Sequence, residues 1–111
     1  MTKNLTIEQL QDLIMQQAAE KGFGVTPEEI SVPEKIALIH SEISEAYEAY
    51  RHNHMTGGKD SFVDELGDAV QRILHLAGVL NIDIEAAILE KLAINKTREW
   101  NPDKLNENII K

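Results

Sequence analysis

Apolar residues recur at helical spacing in four stretches of the chain, and no stretch alternates apolar and polar residues over more than a few positions. The first predicted helix is capped by Thr6 and runs to about Lys21, where Gly22 ends it. Its apolar face comprises Leu10, Leu13, Ile14 and Ala18. A connector over residues 23–32 follows, with a turn or short helical start at residues 26–29. The pattern predicts an all-α fold.

Two further helices form the centre of the predicted fold. Pro33 opens the second helix, which lasts to about His52, and a loop with a Gly-Gly pair occupies residues 52–60. Ser61 caps the third helix, which ends near Leu80. The two helices can pair as an antiparallel hairpin across this loop.

The fourth predicted helix is capped by Asp83, extends to about Trp100 and is ended by Pro102. The polar tail over residues 103–111 is either frayed or docked on a neighbour. Four helices with short connections predict a single domain over residues 1–111.

Each central helix carries one continuous apolar stripe. On the second helix the stripe consists of Ile36, Ile39, Ile43, Tyr47 and Tyr50. On the third helix it consists of Phe62, Leu66, Val70, Ile73, Ala77 and Leu80. The pattern predicts that both stripes form the core.

Two pairs of acids lie beside these stripes at matched positions. Glu42 and Glu45 lie about 100° and 160° to one side of the second helix's stripe, and Glu65 and Asp68 lie at the same angles on the third. In a hairpin, the four carboxylates can converge, where they would repel one another unless protonated or neutralised by a metal. Hard oxygen ligands favour Mg²⁺ or Mn²⁺. The alternative is that all four are solvated surface acids.

The length, composition and charge of the chain restrict the functions that it can have. With 111 residues, the chain has a small core, so self-association is a natural way to enlarge it. The net charge of −8 disfavours nucleic acid as a partner, although a divalent cation can still mediate phosphate binding. The chain lacks cysteine, a secretory signal and an apolar segment near the ~20 residues that cross a bilayer. We therefore expect no membrane association and a cytoplasmic location.

The acidic motifs carry a family resemblance. The segments HSEISEAYEA and VDELGDAVQRIL, with 19 residues between Glu45 and Glu65, resemble the E-x-x-E and E-x-x-D signature of the MazG-like all-α nucleoside triphosphate pyrophosphohydrolases. The segment NIDIE at residues 81–85 continues the similarity, and residues 91–98 resemble that family's K-x-x-x-N-K-x-R pattern. The resemblance covers about residues 33–100 and implies a four-helix MazG-like domain within an oligomeric helical bundle, at least a homodimer and up to a homotetramer.

The same resemblance implies a reaction, the Mg²⁺-dependent hydrolysis of (deoxy)nucleoside triphosphates between the α and β phosphates. The expected products are a nucleoside monophosphate and pyrophosphate. The expected metal ligands are Glu42, Glu45, Glu65 and Asp68, with Mn²⁺ as a possible substitute for Mg²⁺. Glu45 or Glu42 would orient or deprotonate the attacking water, and the sequence does not choose between them.

Residues outside the acid pairs are candidates for binding the nucleotide. Asn95 falls in the apolar stripe formed by Ile84, Ile88 and Leu92, and Lys91 and Arg98 flank it on one side. This trio is suited to a phosphate or sugar edge, or else serves only packing and ion pairing. Arg72 follows Asp68 by four residues, which predicts an ion pair with it or a contact to the leaving phosphates.

Two other functions remain open at this point. One is a related pyrophosphohydrolase that acts on phosphoribosyl-ATP, whose spacing and last motif fit this chain less well. The other is a non-catalytic helical module that uses its acidic face to bind a partner or cations.

Overall fold

The computed structural model describes residues 4–99 and contains four α-helices, with no strand in that range. The helices are α1 (Ile7–Glu20), α2 (Val32–Arg51), α3 (Phe62–Val79) and α4 (Ile84–Thr97), and a 3₁₀ turn (Pro27–Glu29) separates α1 from α2. The all-α prediction is confirmed. The fourth helix ends before the predicted Trp100, which lies with Pro102 and the tail outside the described residues. None of the helices in the described range is long and apolar enough to cross a bilayer.

Local hydrogen bonds set the helix starts. Thr6 Oγ1 accepts from the Gln9 backbone N–H at 3.1 Å, and Asp83 Oδ1 accepts from the Ala86 N–H at 3.0 Å. Ser61 caps α3 as predicted. The second helix begins before Pro33, because Ser31 supplies its cap.

The central helix is α3, which packs against α2 on one side and α1 on another, while α4 contacts chiefly α1. The α2–α3 pair is antiparallel. Phe62 N–H donates to His54 O at 2.8 Å near the loop, and Arg72 reaches Glu42 further along both helices. The predicted hairpin is therefore present.

The prediction that the apolar stripes form the core is wrong for most of their residues. Small side chains make the α2–α3 contact instead, namely Ala46, Ala49 and Ala69, which are 2%, 8% and 2% exposed. The stripe residues that are exposed, by 39% to 61%, are Ile36, Ile43, Tyr47, Tyr50, Leu66, Val70 and Ile73. Each helix turns its small residues and its acids toward the other, because alanines allow a close approach that the large stripe residues would block.

Further buried apolar side chains belong to α1 and α3. They are Ala18, Leu74, Ala77 and Val79. Gly78 permits a close helix crossing, since a Cβ at this position would lie 2.5 Å from Met15 Sδ. Gln11 is buried and donates to Ile82 O at 3.0 Å, which joins α1 to the segment before α4.

Candidate metal centre

The antiparallel α2–α3 contact brings three of the four predicted acids together. Carboxylate oxygens of Glu42, Glu45 and Glu65 lie within 4.8 Å of one another. We call these three residues the acid group. The fourth predicted acid, Asp68, lies one helical turn beyond Glu65. Its pKa is raised, because neighbouring side chains displace part of its hydration and because Glu42 carries the same charge.

Glu65 is the most deeply placed member of the acid group, at 3% exposure. The ability of a protonated Glu65 to share its proton with Glu45, together with burial and a similar interaction with Glu42, raises the pKa of Glu65 to about 8. Buried oxygens of two acids, Glu65 Oε2 and Glu42 Oε2, have no hydrogen-bond partner. Buried acceptors of this kind are costly unless a proton or a cation satisfies them.

The donor set fits a small, hard cation. Mg²⁺ binds oxygen at about 2.1 Å, so opposite ligands of one ion lie about 4.2 Å apart. The oxygens of the acid group lie within 4.8 Å of one another, close to that span. Two of them are buried and without partners, and no thiolate ligand is available because the chain has no cysteine. Carboxylate oxygens alone favour Mg²⁺ or Mn²⁺ over zinc or copper.

Arg72 pairs with a different acid from the one predicted. Its Nε donates to Glu42 Oε1 at 3.0 Å, across the α2–α3 contact. The ion pair predicted with Asp68 is therefore wrong, although the guanidinium charge offsets part of the rise in the pKa of that carboxyl. Helical spacing identifies neighbours on one helix, and a closer partner on the facing helix takes the hydrogen bond.

A cleft of about 350 Å³ opens next to the acid group, between α1, the connector and the N-terminal part of α2 on one side and α3 on the other. Its lining combines apolar, amide and charged groups and consists of Ile14, Gln17, Ala18, Phe23, Lys35, Asp68, Gln71, Arg72 and His75. His75 Nε2 lies 2.8 Å from Gly24 O, which ties the connector to α3. The volume lies in the range of small-molecule sites.

Of these lining residues, the sequence predicted a functional role for Asp68 and Arg72, while Ile14 and Ala18 were expected only on an apolar helix face. Gln17, Lys35 and Gln71 come from three different helices. No spacing along the chain indicates that these three residues lie close together, so the sequence alone could not predict the cleft.

A second acidic cluster was also missed. Oxygens of Asp60, Asp64 and Glu65 lie within 4.8 Å of one another, so Glu65 belongs to both clusters. Asp64 Oδ2 accepts from the Asp60 backbone N–H at 2.9 Å, which is a local contact at the start of α3. The i,i+4 spacing of the two aspartates was the available signal.

The candidate trio on α4 is not brought to the acid group within this chain. Lys91 and Arg98 are exposed, and Asn95 is half-buried. None of the three lines the cleft beside the acid group. The predicted apolar stripe around Asn95 is largely uncovered in the described residues, since Ile88 and Leu92 are 41% and 59% exposed. The cause is the position of α4, which packs chiefly on α1.

Comparison of the chain with family models, curated proteins and solved structures gives no match. The chemistry follows from the groups present. The acid group can hold a hard divalent cation, and the adjoining cleft presents two cationic side chains, Lys35 and Arg72. A cation beside a positively lined cleft is suited to binding a phosphate ester or anhydride.

Proposed function

We propose that the protein is a Mg²⁺-dependent hydrolase that cleaves (deoxy)nucleoside triphosphates between the α and β phosphates. The observation that carries this proposal is the acid group, with buried, unpartnered oxygens on Glu42 and Glu65, together with a cleft of ligand size that is lined by Arg72, the ion-pair partner of Glu42. The likeness of the two acidic motifs to MazG-like pyrophosphohydrolases supports the same reaction. The products are a nucleoside monophosphate and pyrophosphate.

In this proposal Glu42, Glu45, Glu65 and Asp68 hold the metal. When bound, Mg²⁺ neutralises the triphosphate and lowers the pKa of a coordinated water. Lys35 and Arg72 attract the phosphates into the cleft. Glu45 is the better candidate for orienting or deprotonating the water, since it is exposed whereas Glu42 is buried and hydrogen-bonded to Arg72.

The cleft offers groups for the nucleoside part of the substrate. Phe23 is 62% exposed and presents a ring on which a base can stack. The side-chain amides of Gln17 and Gln71 both donate and accept hydrogen bonds, which suits the polar edge of a base. Base preference is then set largely by α1 and α3.

Self-association completes the proposal, as a homodimer or homotetramer. The exposed stripes of α2 and α3 form an apolar surface that a second copy covers. Lys91 and Asn95 of α4, and Arg98 directly after its end, then contact the nucleotide from a neighbouring copy, since α4 of the same chain lies on α1. The proposed location of this activity is the cytoplasm.

The decisive experiment is a panel of ribo- and deoxynucleoside triphosphates assayed with Mg²⁺ for monophosphate and pyrophosphate release. Phosphoribosyl-ATP is included as the substrate of the related histidine-pathway enzyme. Release of pyrophosphate from one or more nucleoside triphosphates supports the proposal. Cation binding without turnover of any substrate would instead indicate a non-catalytic acidic module.

A further inference from the structure

Arg72 is the cationic side chain that the structure places against the acid group. Among residues 4–99, its pair with Glu42 is the one ion pair that reaches Glu42, Glu45 or Glu65. The Arg72 side chain is 38% exposed and also lines the cleft, whereas that of Glu42 is 11% exposed. The guanidinium therefore lies at the boundary between the acids and the cleft.

The two oxygens of Glu42 have different surroundings. Oε1 accepts from Arg72 Nε at 3.0 Å, while Oε2 is buried and without a hydrogen-bond partner. A hydrogen bond to one oxygen fixes the orientation of a carboxylate and leaves the other available to a cation. Oε2 is the oxygen that remains available.

A fixed positive charge also acts on any cation that enters the acid group. The guanidinium repels a divalent cation a few ångströms away, and in a partly buried site solvent screens this repulsion only weakly, so it opposes the benefit of orienting one ligand. We propose that Arg72 is a positioning residue that holds Glu42 and, as the built-in counter-ion of the acid group, keeps its affinity for divalent cations low. This inference rests on the cation site of the proposed function.

The test measures Mn²⁺ binding to the full chain at fixed pH, without nucleotide, by the electron paramagnetic resonance signal of free Mn²⁺. Arg72→Gln should bind Mn²⁺ at least about tenfold more tightly than the wild type, because a repelling charge is gone. Arg72→Met is measured alongside, so that the result does not depend on one neutral side chain folding. Arg72→Lys keeps the charge and should stay within about threefold of the wild type.

The matched control is Arg51→Gln, which removes the same charge from an exposed arginine that pairs with Glu48 at 3.6 Å. It should leave Mn²⁺ affinity unchanged. In metal-free buffer, Arg72→Gln should also melt at a lower temperature than the wild type, and saturating Mn²⁺ should remove that difference.

Unchanged or weaker Mn²⁺ binding in both neutral variants would overturn the role of Arg72, and so would an Arg72→Lys variant as tight as Arg72→Gln. Those outcomes leave the cation site of the wild type intact. Absence of Mn²⁺ binding in the wild type and in every variant removes the cation site itself, and with it the proposed function.

Discussion

Glu42 and Glu48 lie on the same helix, yet their surroundings give the two carboxylates different roles. Glu42 is 8% exposed and belongs to the acid group, whereas Glu48 is exposed and pairs with Arg51 and His52. Loss of a hydrogen-bonding partner of a metal ligand typically lowers metal affinity or activity by about 10- to 100-fold. We predict that Glu42→Gln, which changes a proposed ligand itself, lowers kcat/KM by more than this. Folding should survive, because the new amide oxygen still accepts from Arg72.

Steady-state kinetics and a thermal melt of Glu42→Gln test this expectation, with Glu48→Gln as the matched control. Glu48→Gln should keep nearly the kinetics and the melting temperature of the wild type, since an exposed ion pair contributes at most about 1 kcal/mol to the free energy of unfolding. Asp68→Asn should behave like Glu42→Gln. Wild-type turnover in Glu42→Gln at saturating Mg²⁺ would show that the metal ligands are assigned wrongly.

Glu65 predicts how metal-free stability depends on pH. Its pKa is raised from 4.5 to about 8, so between those values the folded chain holds a proton that the unfolded chain releases. Stability therefore falls as the pH rises through this window and levels off above about pH 8. Asp68, whose pKa is also raised, contributes a fall in the same direction.

Urea unfolding in EDTA at several pH values measures this dependence. Glu65→Gln carries no titrating proton at that position, so its profile should be flatter, and it should exceed the wild type in stability at high pH. Identical profiles for the two proteins would mean that Glu65 does not titrate abnormally.

At the scale of the helices, the starts of α1, α3 and α4 were predictable because each cap depends on residues three positions apart. Thr6, Ser61 and Asp83 each accept a hydrogen bond from such a neighbour. The matched phase of the acid pairs was also sufficient to place Glu42, Glu45 and Glu65 near one another. These features are encoded locally or by a single helical period.

The sequence did not predict in the same way which face of each helix packs against the neighbouring helix. Periodicity shows that Ile43 and Tyr47 share a face, but it does not say whether this chain or another one covers that face. The pairing of Arg72 with Glu42 and the lining of the cleft also depend on three-dimensional packing between helices. The spacing of residues along the chain therefore could not predict either of them.

The position of α4 leads to a prediction about its polar side chains. Lys91 is exposed and outside the cleft of its own chain, so its contact with nucleotide requires a neighbouring copy. Lys91→Ala should raise the KM for nucleotide, more strongly at high salt, and leave the melting temperature unchanged. Asn95→Ala should weaken nucleotide handling by about 1–3 kcal/mol if the amide pairs with the ligand.

Lys96→Ala is the matched control for the α4 variants, because Lys96 points about 100° away from Asn95 on the other side. Kinetics and melting are measured for each variant. Lost stability with normal kinetics in Asn95→Ala, together with normal kinetics in Lys91→Ala, would remove α4 from the active site.

For the whole molecule, metal binding should appear as thermal stabilisation. Under the proposed function the folded acid group binds Mg²⁺ and the unfolded chain barely does, so a concentration 100 times the Kd should add about 2.7 kcal/mol to the free energy of unfolding. The increase should be larger at pH 9 than at pH 6, since the cation must displace the proton of Glu65. Melting curves in EDTA and in Mg²⁺ at both pH values measure it, and superimposable curves would favour solvated surface acids.

The exposed stripes lead to a prediction about assembly. Ile43 is 50% exposed, so a charge there costs little in an isolated chain but disrupts a covered apolar surface. Ile43→Asp should dissociate the assembly, as measured by sedimentation velocity. Ala37→Asp, an exposed position about 120° from Ile43 on the same helix, should not. A wild type that sediments as a monomer at all concentrations would contradict self-association.

The alanines between α2 and α3 determine the spacing of the carboxylates in the acid group. Methyl groups at Ala46, Ala49 and Ala69 set the distance between the two helix axes, and that distance sets how far the carboxylates on one helix stand from those on the other. A larger side chain at Ala69 would widen the gap without altering any acid. Because the ionic radii of divalent cations differ by only a few tenths of an ångström, preference between metals can then change through a packing residue that never touches the ion.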